Sequence, residues 1–491
     1  MTLKSGRLQL LTPHYLRSRV LRPGLIKLSL RLGLAQQMPA WAKLQFLNAG
    51  VTPATLDEVL SRINSLESWV DEWEAMGKRR EAAGALALEQ GDTRAAAEHF
   101  FQASAAFNFA QYVLFIDISR KRVLHESCVR AFASAAPYLD PPAERVEIPF
   151  RRRTIVGYLR LPRGARPAPV VVLFNGTNGV KEELHKWTDP FLARGLAVLT
   201  FDGPGLGQTW HNMKLLADPR PVGDAILGFL ESRLDVDAGA VSFLGKSLGG
   251  YLAIRMAAND ARIRAVAAVS APYSVDIYWN ITLASMRHEL ATIYGTDEAT
   301  MAAWVDRITL AEALPKLECP LLVAGGGRDI ITPGREAWRI FEAANCEREL
   351  IYYPTGAHDC FNVADDLLPR MSEWIGRQLG ALRPVADGAE DGVPVWMAAE
   401  AVDADFAQAL RGDDDAGPRW SGRAGATDGA TPASSIAPRA PGLVRPAVNG
   451  NGHVAAPRWP WLPLNGAPRA TKVVYRRVVP PRIQPAAVRA R

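Results

Sequence analysis

Residues 241–250, Val241-Ser-Phe-Leu-Gly245-Lys-Ser247-Leu-Gly249-Gly250, decide how the chain reads. A short apolar run suited to a buried strand enters Gly-x-Ser-x-Gly, and a helical pattern follows from Leu248 to Ala258. A serine at a turn between strand and helix takes strained backbone dihedrals, and glycine on either side lets the two elements approach closely. The hydroxyl then stands clear of both, at the positive end of a helix. The five-residue pattern alone is common by chance. Flanked by a strand and a helix, it marks Ser247 as a nucleophile, whereas Ser242 and Ser270 read as sheet and strand-end residues.

On either side of this segment, and including it, strand-like runs occur at 146–150, 154–161, 170–174, 197–201, 241–244, 265–270, 321–324 and 350–353. Helical stretches fall between most of the later ones, near 182–194, 221–232, 248–258, 335–344 and 367–379. Continuous apolar strands alternating with helices give βαβ units and a buried, mostly parallel sheet. The first two strands have no helix between them and pair as an antiparallel hairpin at one edge. The expectation is an eight-stranded α/β sheet whose functional loops leave the strand C-termini.

A serine hydroxyl is a weak nucleophile, so it needs a base, and the base needs an acid to orient it. Asp329 follows the strand at 321–324 in the glycine-rich loop Gly325-Gly-Gly-Arg-Asp-Ile-Ile-Thr-Pro333. His358 follows the strand at 350–353, and no other histidine of the eight follows a late strand. Both loops lie at the sheet edge that presents Ser247, in the chain order Ser, Asp, His expected after such a turn. Asp276, after the preceding strand, is the alternative acid. Asp359 adjoins the base in sequence but, as its neighbour in a turn, is expected to point elsewhere. Oxyanion donors are expected from the backbone N–H of Leu248 and from the loop Asn175-Gly-Thr-Asn-Gly179, at Thr177 or Asn178. Asp202-Gly-Pro-Gly-Leu-Gly207 lacks the G-K-[ST] of a phosphate loop and reads as a structural turn.

Residues 1–140 are expected to form a helical, cap-like domain. Thr55 and Glu58 have capping-box spacing, and Leu56, Val59, Ile63, Leu66, Trp69, Val70 and Trp73 continue as one amphipathic helix of about five turns. Gly91-Asp92-Thr93 breaks the chain before a second helix. The α/β domain spans 141–383, with a lid insertion at 271–320. Tyr273, Tyr278 and Trp279 open that insertion, placed either to stack on an aromatic substrate or to pack the lid.

The 491 residues carry 57 Lys and Arg against 51 Asp and Glu, net +6. This balance is uneven, since 384–415 holds nine acids against one Arg and 416–491 twelve bases against one Asp. The basic excess is therefore no sign of a nucleic-acid-binding core. The acidic linker carries Val395, Ala399, Val402, Phe406 and Leu410 on one helical face, as a short docking helix or a transient one. Residues 416–491 are rich in Pro, Gly and Arg and poor in large apolar residues, and read as a disordered basic tail. Cys128, Cys319, Cys346 and Cys360 are scattered without metal-ligand or disulfide spacing, so a reducing, cytoplasmic setting is expected. The basic N-terminal stretch has no uninterrupted apolar core for a signal peptide, and no run of about 18 apolar residues exists.

Through these residues the chain resembles the α/β-hydrolase superfamily. More narrowly it is similar to the group holding 2,6-dihydroxypseudooxynicotine hydrolase, FrsA-like esterases and fungal polyketide-shortening hydrolases. The narrower resemblance rests on the helical domain placed first, Trp69 and Trp73 with the Ala-rich stretch 91–110, Asp202-Gly-Pro-Gly-Leu-Gly207, and His358-Asp-Cys-Phe-Asn362. It implies a Ser247, His358, Asp329 triad that cleaves an ester, or a carbon–carbon bond beside a ketone, in an aromatic or polyketide-like substrate through an acyl-enzyme. It implies no cofactor and no metal. Expected partners are a small-molecule substrate, a second copy of the chain in a homodimer, and for the tail an acidic partner. An acyltransferase or thioesterase, and a non-catalytic ligand-binding or scaffold protein, are the competing readings.

Overall fold

The computed structural model describes residues 22–38, 40–114, 117–164, 166–281, 284–381 and 473–477. Its sheet forms because residues in successive strands alternate between two apolar faces. In β3 (Ala168–Phe174), Val170, Val172 and Phe174 enter one core and Val171 and Leu173 the other. The remaining strands are β1 (Ala143–Phe150), β2 (Arg153–Arg160), β4 (Ala197–Phe201), β5 (Val236–Lys246), β6 (Ile263–Val269), β7 (Leu321–Gly326), β8 (Arg348–Tyr353) and β9 (Val473–Arg477). They are ordered β1-β2-β4-β3-β5-β6-β7-β8-β9. β1 and β2 are the expected hairpin, in register from Ala143 opposite Arg160 to Phe150 opposite Arg153, and β3 to β8 run parallel.

All eight expected strands are present. A ninth strand adds to them: β9 lies within 416–491 and pairs antiparallel with β8, from Val473 opposite Tyr352 to Arg477 opposite Arg348. Composition averaged over 76 residues hid a local run, Val473-Val-Tyr-Arg-Arg, whose β-branched and aromatic residues suit a strand. The linker and its helix at 395–410 lie outside the described residues.

The two faces of the sheet are covered by different helices. α7 (His185–Leu192) and α14 (Ala364–Gln378) bury Trp187, Phe191, Met371, Trp374 and Ile375 on one. α8 (Arg220–Glu231), α9 (Leu248–Ala257) and α13 (Arg335–Ala343) bury Ile226, Leu230, Ile254 and Ile340 on the other. The order reverses around β3, which lies between β4 and β5, so the chain leaves its C-terminal end toward opposite sides and opens a crevice there.

Helices α1 (Arg22–Arg31) to α6 (Ile118–Ala135) precede the sheet, with α2 (Ala40–Asn48), α3 (Pro53–Arg62), α4 (Leu66–Glu89) and α5 (Thr93–Gln111) between them. The single five-turn helix expected from Leu56 to Trp73 is in fact two. Thr52, not Thr55, caps α3, and the chain then turns extended at Ile63. Ser65 restarts it in a capping box with Ser68, so two orphan N–H groups are satisfied reciprocally. Phe46 stacks on Trp73, with centroids 5.8 Å apart and planes 3° from parallel, while Trp69 donates its Nε1–H to the Phe109 carbonyl at 2.8 Å. These tryptophans are bundle core. The insertion at 271–320 folds as α10 (Val275–Ile281), α11 (Ala284–Tyr294) and α12 (Glu298–Trp304). Among the described residues no helix is long and apolar enough to cross a membrane.

Candidate active site

Ser247 sits between β5 and α9 with φ 52° and ψ −124°, backbone strain of a kind concentrated at functional sites. Its own N–H donates to the Val269 carbonyl at 2.8 Å, and its carbonyl accepts from Gly250 at 3.0 Å, so neighbouring elements hold the strain in place. A side chain at Gly245 would overlap the Gly249 and Gly250 backbone, which is why the strand and helix can meet only through glycine. The rival serines have other tasks. Ser242 is buried in the sheet, donating to the Ala265 carbonyl, and Ser270 accepts the Asp359 N–H at 2.9 Å.

The loops after β7 and β8 form one unit. Gly327 N–H donates to the Tyr353 carbonyl and Arg328 N–H to the Gly356 carbonyl, both at 2.9 Å, and a side chain at Gly326 would strike the Gly356 backbone. This packing lowers Asp329 into the site. Its Oδ1 accepts from Ile331 N–H at 2.9 Å and Thr332 N–H at 2.7 Å, and His358 Nδ1 lies 2.9 Å from Oδ2. Asn362 braces the histidine turn by accepting from Ala357 N–H at 2.7 Å and donating to the Thr355 carbonyl at 2.9 Å. Asp329, not Asp276, is thus the carboxylate on the histidine. Asp276 lies in the first turn of α10.

Asp359 contradicts its expected orientation. Asp359 and Cys360 both take left-handed dihedrals, φ 55° and 52°, and this kink turns the Asp359 carboxylate back to 3.6 Å from His358 Nε2. Nothing in the sequence announces two consecutive left-handed residues that are not glycine. Lys246, the residue before the serine, is buried and lies 3.5 Å from both Asp359 and Glu183, with its ammonium 4.6 Å from the centre of the Trp187 ring. Glu183 in turn accepts from Asn108 of α5 at 3.1 Å. Burial lowers the His358 pKa, but Asp329 and then Asp359 outweigh it and hold the imidazole up to about 9, with Lys246 acting in the opposite sense. Among the described residues no hydrogen bond joins Ser247 Oγ to His358.

Gly176, in the loop after β3, lies directly against Ser247, with room for a Cβ only 3.1 Å from the serine Cβ. Asn175 closes this loop by accepting from Gly176 N–H at 2.8 Å and donating to the Val180 carbonyl at 3.0 Å. Leu248 is the first residue of α9, where an N–H has no intrahelical acceptor. Thr177 and Asn178 line a small cleft bounded by α6, the turn 205–210 and α11. Tyr273 and Trp279 do not line it. Arg339 caps the Tyr273 ring at 4.2 Å, and Trp279 is buried in the core, so both belong to the packing of the lid. The Tyr278 side chain lies outside the described residues.

Asp202 does more than make a turn. Its carboxylate accepts from Lys181 N–H, Lys181 Nζ and Gln208 N–H at 2.9 to 3.0 Å, tying the chain after β3 to the chain after β4. His125, Glu182 and Asp202 offer ligand atoms within 4.8 Å of one another, the spacing of a cation site. Lys181 Nζ, 2.6 Å from Glu182 and 3.0 Å from Asp202, already supplies that positive charge.

Comparison with known proteins agrees with this architecture. The family described as "Esterase FrsA-like" matches residues 55–286, a span that includes Ser247 and ends before Asp329. A 2,6-dihydropseudooxynicotine hydrolase of Paenarthrobacter nicotinovorans is 26% identical over 322 residues, 65% of this chain and 87% of that protein. The alpha/beta hydrolase ucsC of an Acremonium species is 34% identical over 240 residues, 43% of this chain and 48% of that protein. The crystal structure of the 2,6-dihydroxy-pseudo-oxynicotine hydrolase superposes with a TM-score of 0.64 at 25% identity, covering 69% of this chain and 96% of that one.

Proposed function

We propose that this chain, which belongs to the α/β-hydrolase superfamily, is a serine hydrolase that cleaves an ester, or a carbon–carbon bond next to a ketone, in a small aromatic or polyketide-like substrate. The observation that carries the reading is the Asp329 carboxylate 2.9 Å from His358 Nδ1, beside a serine held at φ 52° on the same sheet edge. In this reading His358 Nε2 exchanges Asp359 for the Ser247 hydroxyl and takes its proton as Oγ attacks the carbonyl. Hydrogen bonds at such sites tighten in the substrate complex. Leu248 N–H and the loop at Thr177 and Asn178 hold the oxyanion, a contribution typically of about 3–4 kcal/mol per donor. His358 then protonates the leaving group, and water releases the acyl-enzyme. A carbon leaving group has to depart as a stabilised enolate or electron-rich arene, so substrates for that branch are β-dicarbonyl or acyl-phenol compounds.

A fluorophosphonate probe tests the nucleophile: the wild-type protein becomes labelled and Ser247→Ala does not. Equal labelling of the two proteins defeats the assignment. Product analysis with matched acyl-phenol and aryl-ester substrates separates the two reaction types, since acid released from the esters alone removes the carbon–carbon branch.

A further inference from the structure

A groove of about 300 Å³ lies at the far end of α9, the helix that begins next to Ser247. At a rise of about 1.5 Å per residue, the ten residues of α9 carry the chain about 15 Å from the serine. A ligand held in the groove therefore takes no part in the reaction at Ser247. The charged residues that line it are Asp218, Arg220, Arg255, Arg307, Glu312 and Lys316, four cations against two carboxylates.

This excess is not neutralised from within. Arg220 is taken up by Asp218, with Nε 2.9 Å from Oδ1 and Nη2 2.8 Å from Oδ2. Arg255 donates to the Tyr251 hydroxyl at 2.7 Å and to the Ala217 carbonyl at 3.1 Å, both uncharged acceptors. Among the described residues, the side chains of Arg307, Lys316 and Glu312 make no hydrogen bond or ion pair. Three cations without a carboxylate partner thus share the groove with one free carboxylate. Arg255 lies in the last turn of α9, and Arg307 and Lys316 end the 3₁₀ turns Val305–Arg307 and Leu314–Lys316. The carbonyl end of a helical turn favours a cation, but that preference acts on each turn alone and does not gather three into one concavity. Like charges brought together repel, and a bound anion removes that cost. The geometry is also fixed in advance, since Asn259 N–H donates to the Lys316 carbonyl at 3.3 Å and Thr309 pairs with Ser274.

We propose that this groove is a second ligand site, for a small anion of at least two negative charges of the phosphate or pyrophosphate class. The guanidinium forks of Arg255 and Arg307 match pairs of phosphate oxygens, and Lys316 adds a point charge. An uncharged ligand leaves all three cations unmatched, and a monocarboxylate matches only one. Arg255 belongs to α9, whereas Arg307 and Lys316 belong to the insertion 271–320. The bound anion therefore joins the lid to the helix that presents Ser247. The site stands independently of the serine-hydrolase reading, because its occupancy requires no member of the triad.

Titration calorimetry of the full chain with pyrophosphate and with acetate, at a constant ionic strength of about 0.1 M, tests it. Pyrophosphate should saturate one site and bind about ten-fold more tightly than acetate, or better. The double variant Arg307→Gln with Lys316→Gln should weaken pyrophosphate binding about ten-fold or more. Both side chains are exposed, so the fold is preserved, as circular dichroism will verify. A second double variant, Arg94→Gln with Arg152→Gln, removes the same charge from two exposed arginines elsewhere and should leave Kd within about two-fold. No saturable binding of pyrophosphate at about 5 mM, equal affinity for acetate, an unchanged Kd in the groove variant, or equal weakening in both double variants overturns the site. Failure of the serine assignment shows separately, as absent fluorophosphonate labelling.

Discussion

Replacing Asp359 by Asn tests the electrostatics around His358 most directly, because it removes one charge and keeps the shape. At 3.6 Å from Nε2, a full carboxylate charge favours the imidazolium by about 4.6 kcal/mol at an effective dielectric constant near 20. Lys246, 3.5 Å from the other Asp359 oxygen, offsets much of this, leaving an effect on the order of one to two pH units. In the proposed mechanism the base must be neutral to accept the serine proton, so kcat/KM of the wild-type protein on an uncharged ester should rise through an acid limb near pH 9. In Asp359→Asn that limb should move down by about one to two units. Lys246→Met should move it the other way, because the lysine opposes protonation of the ring. Other charged or titratable groups near the histidine turn are Asp329, Glu183, Tyr112 and the Cys360 thiol, and none is altered in the Asp359 variant. An acid limb that stays put, or moves up, in Asp359→Asn would refute the account.

Further expectations follow from other parts of the site. Asp329→Asn leaves His358 without its orienting carboxylate, and kcat should fall by about 10³ to 10⁴ while the far-ultraviolet circular dichroism is unchanged. Gly326→Ala forces a methyl group against the Gly356 backbone and should cost about 1–3 kcal/mol in urea unfolding, with kcat falling as the Asp329 loop is displaced. Because His358 is held above its ordinary 6.5, it contributes stability that is complete below that pH and lost as pH rises through about 9. The urea midpoint should therefore drop across that window, and less so in Asp359→Asn. Ser65→Ala removes a capping box and should lower stability by about 1 kcal/mol without changing turnover.

Much of this was legible in order along the chain. The run 241–250 places the strand, the turn and the helix because its constraints are local: apolar alternation, and glycine where backbones touch. Asp329 and His358 are legible for a related reason, since each follows a strand in a turn rich in small residues. What escaped depends on distance or on dihedrals that no residue type dictates. Asp359 faces His358 only because two non-glycine residues take φ above 50°. Glu183 and Lys246 are far apart in sequence and meet because β3 and β5 are neighbours. The helix restart at Ser65 was obscured by an apolar rhythm that continues across the break.

The strand Val473–Arg477 carries a consequence for how truncated forms behave. Without it, β8 offers a row of unpaired N–H and C=O groups, a template on which another chain can add. β8 leads within five residues to His358. Loss of the last twenty residues would therefore register first as self-association of the protein through this edge, and only secondarily in the turnover of each soluble molecule. Light scattering, more than enzyme rate, is the measure of what those five residues do.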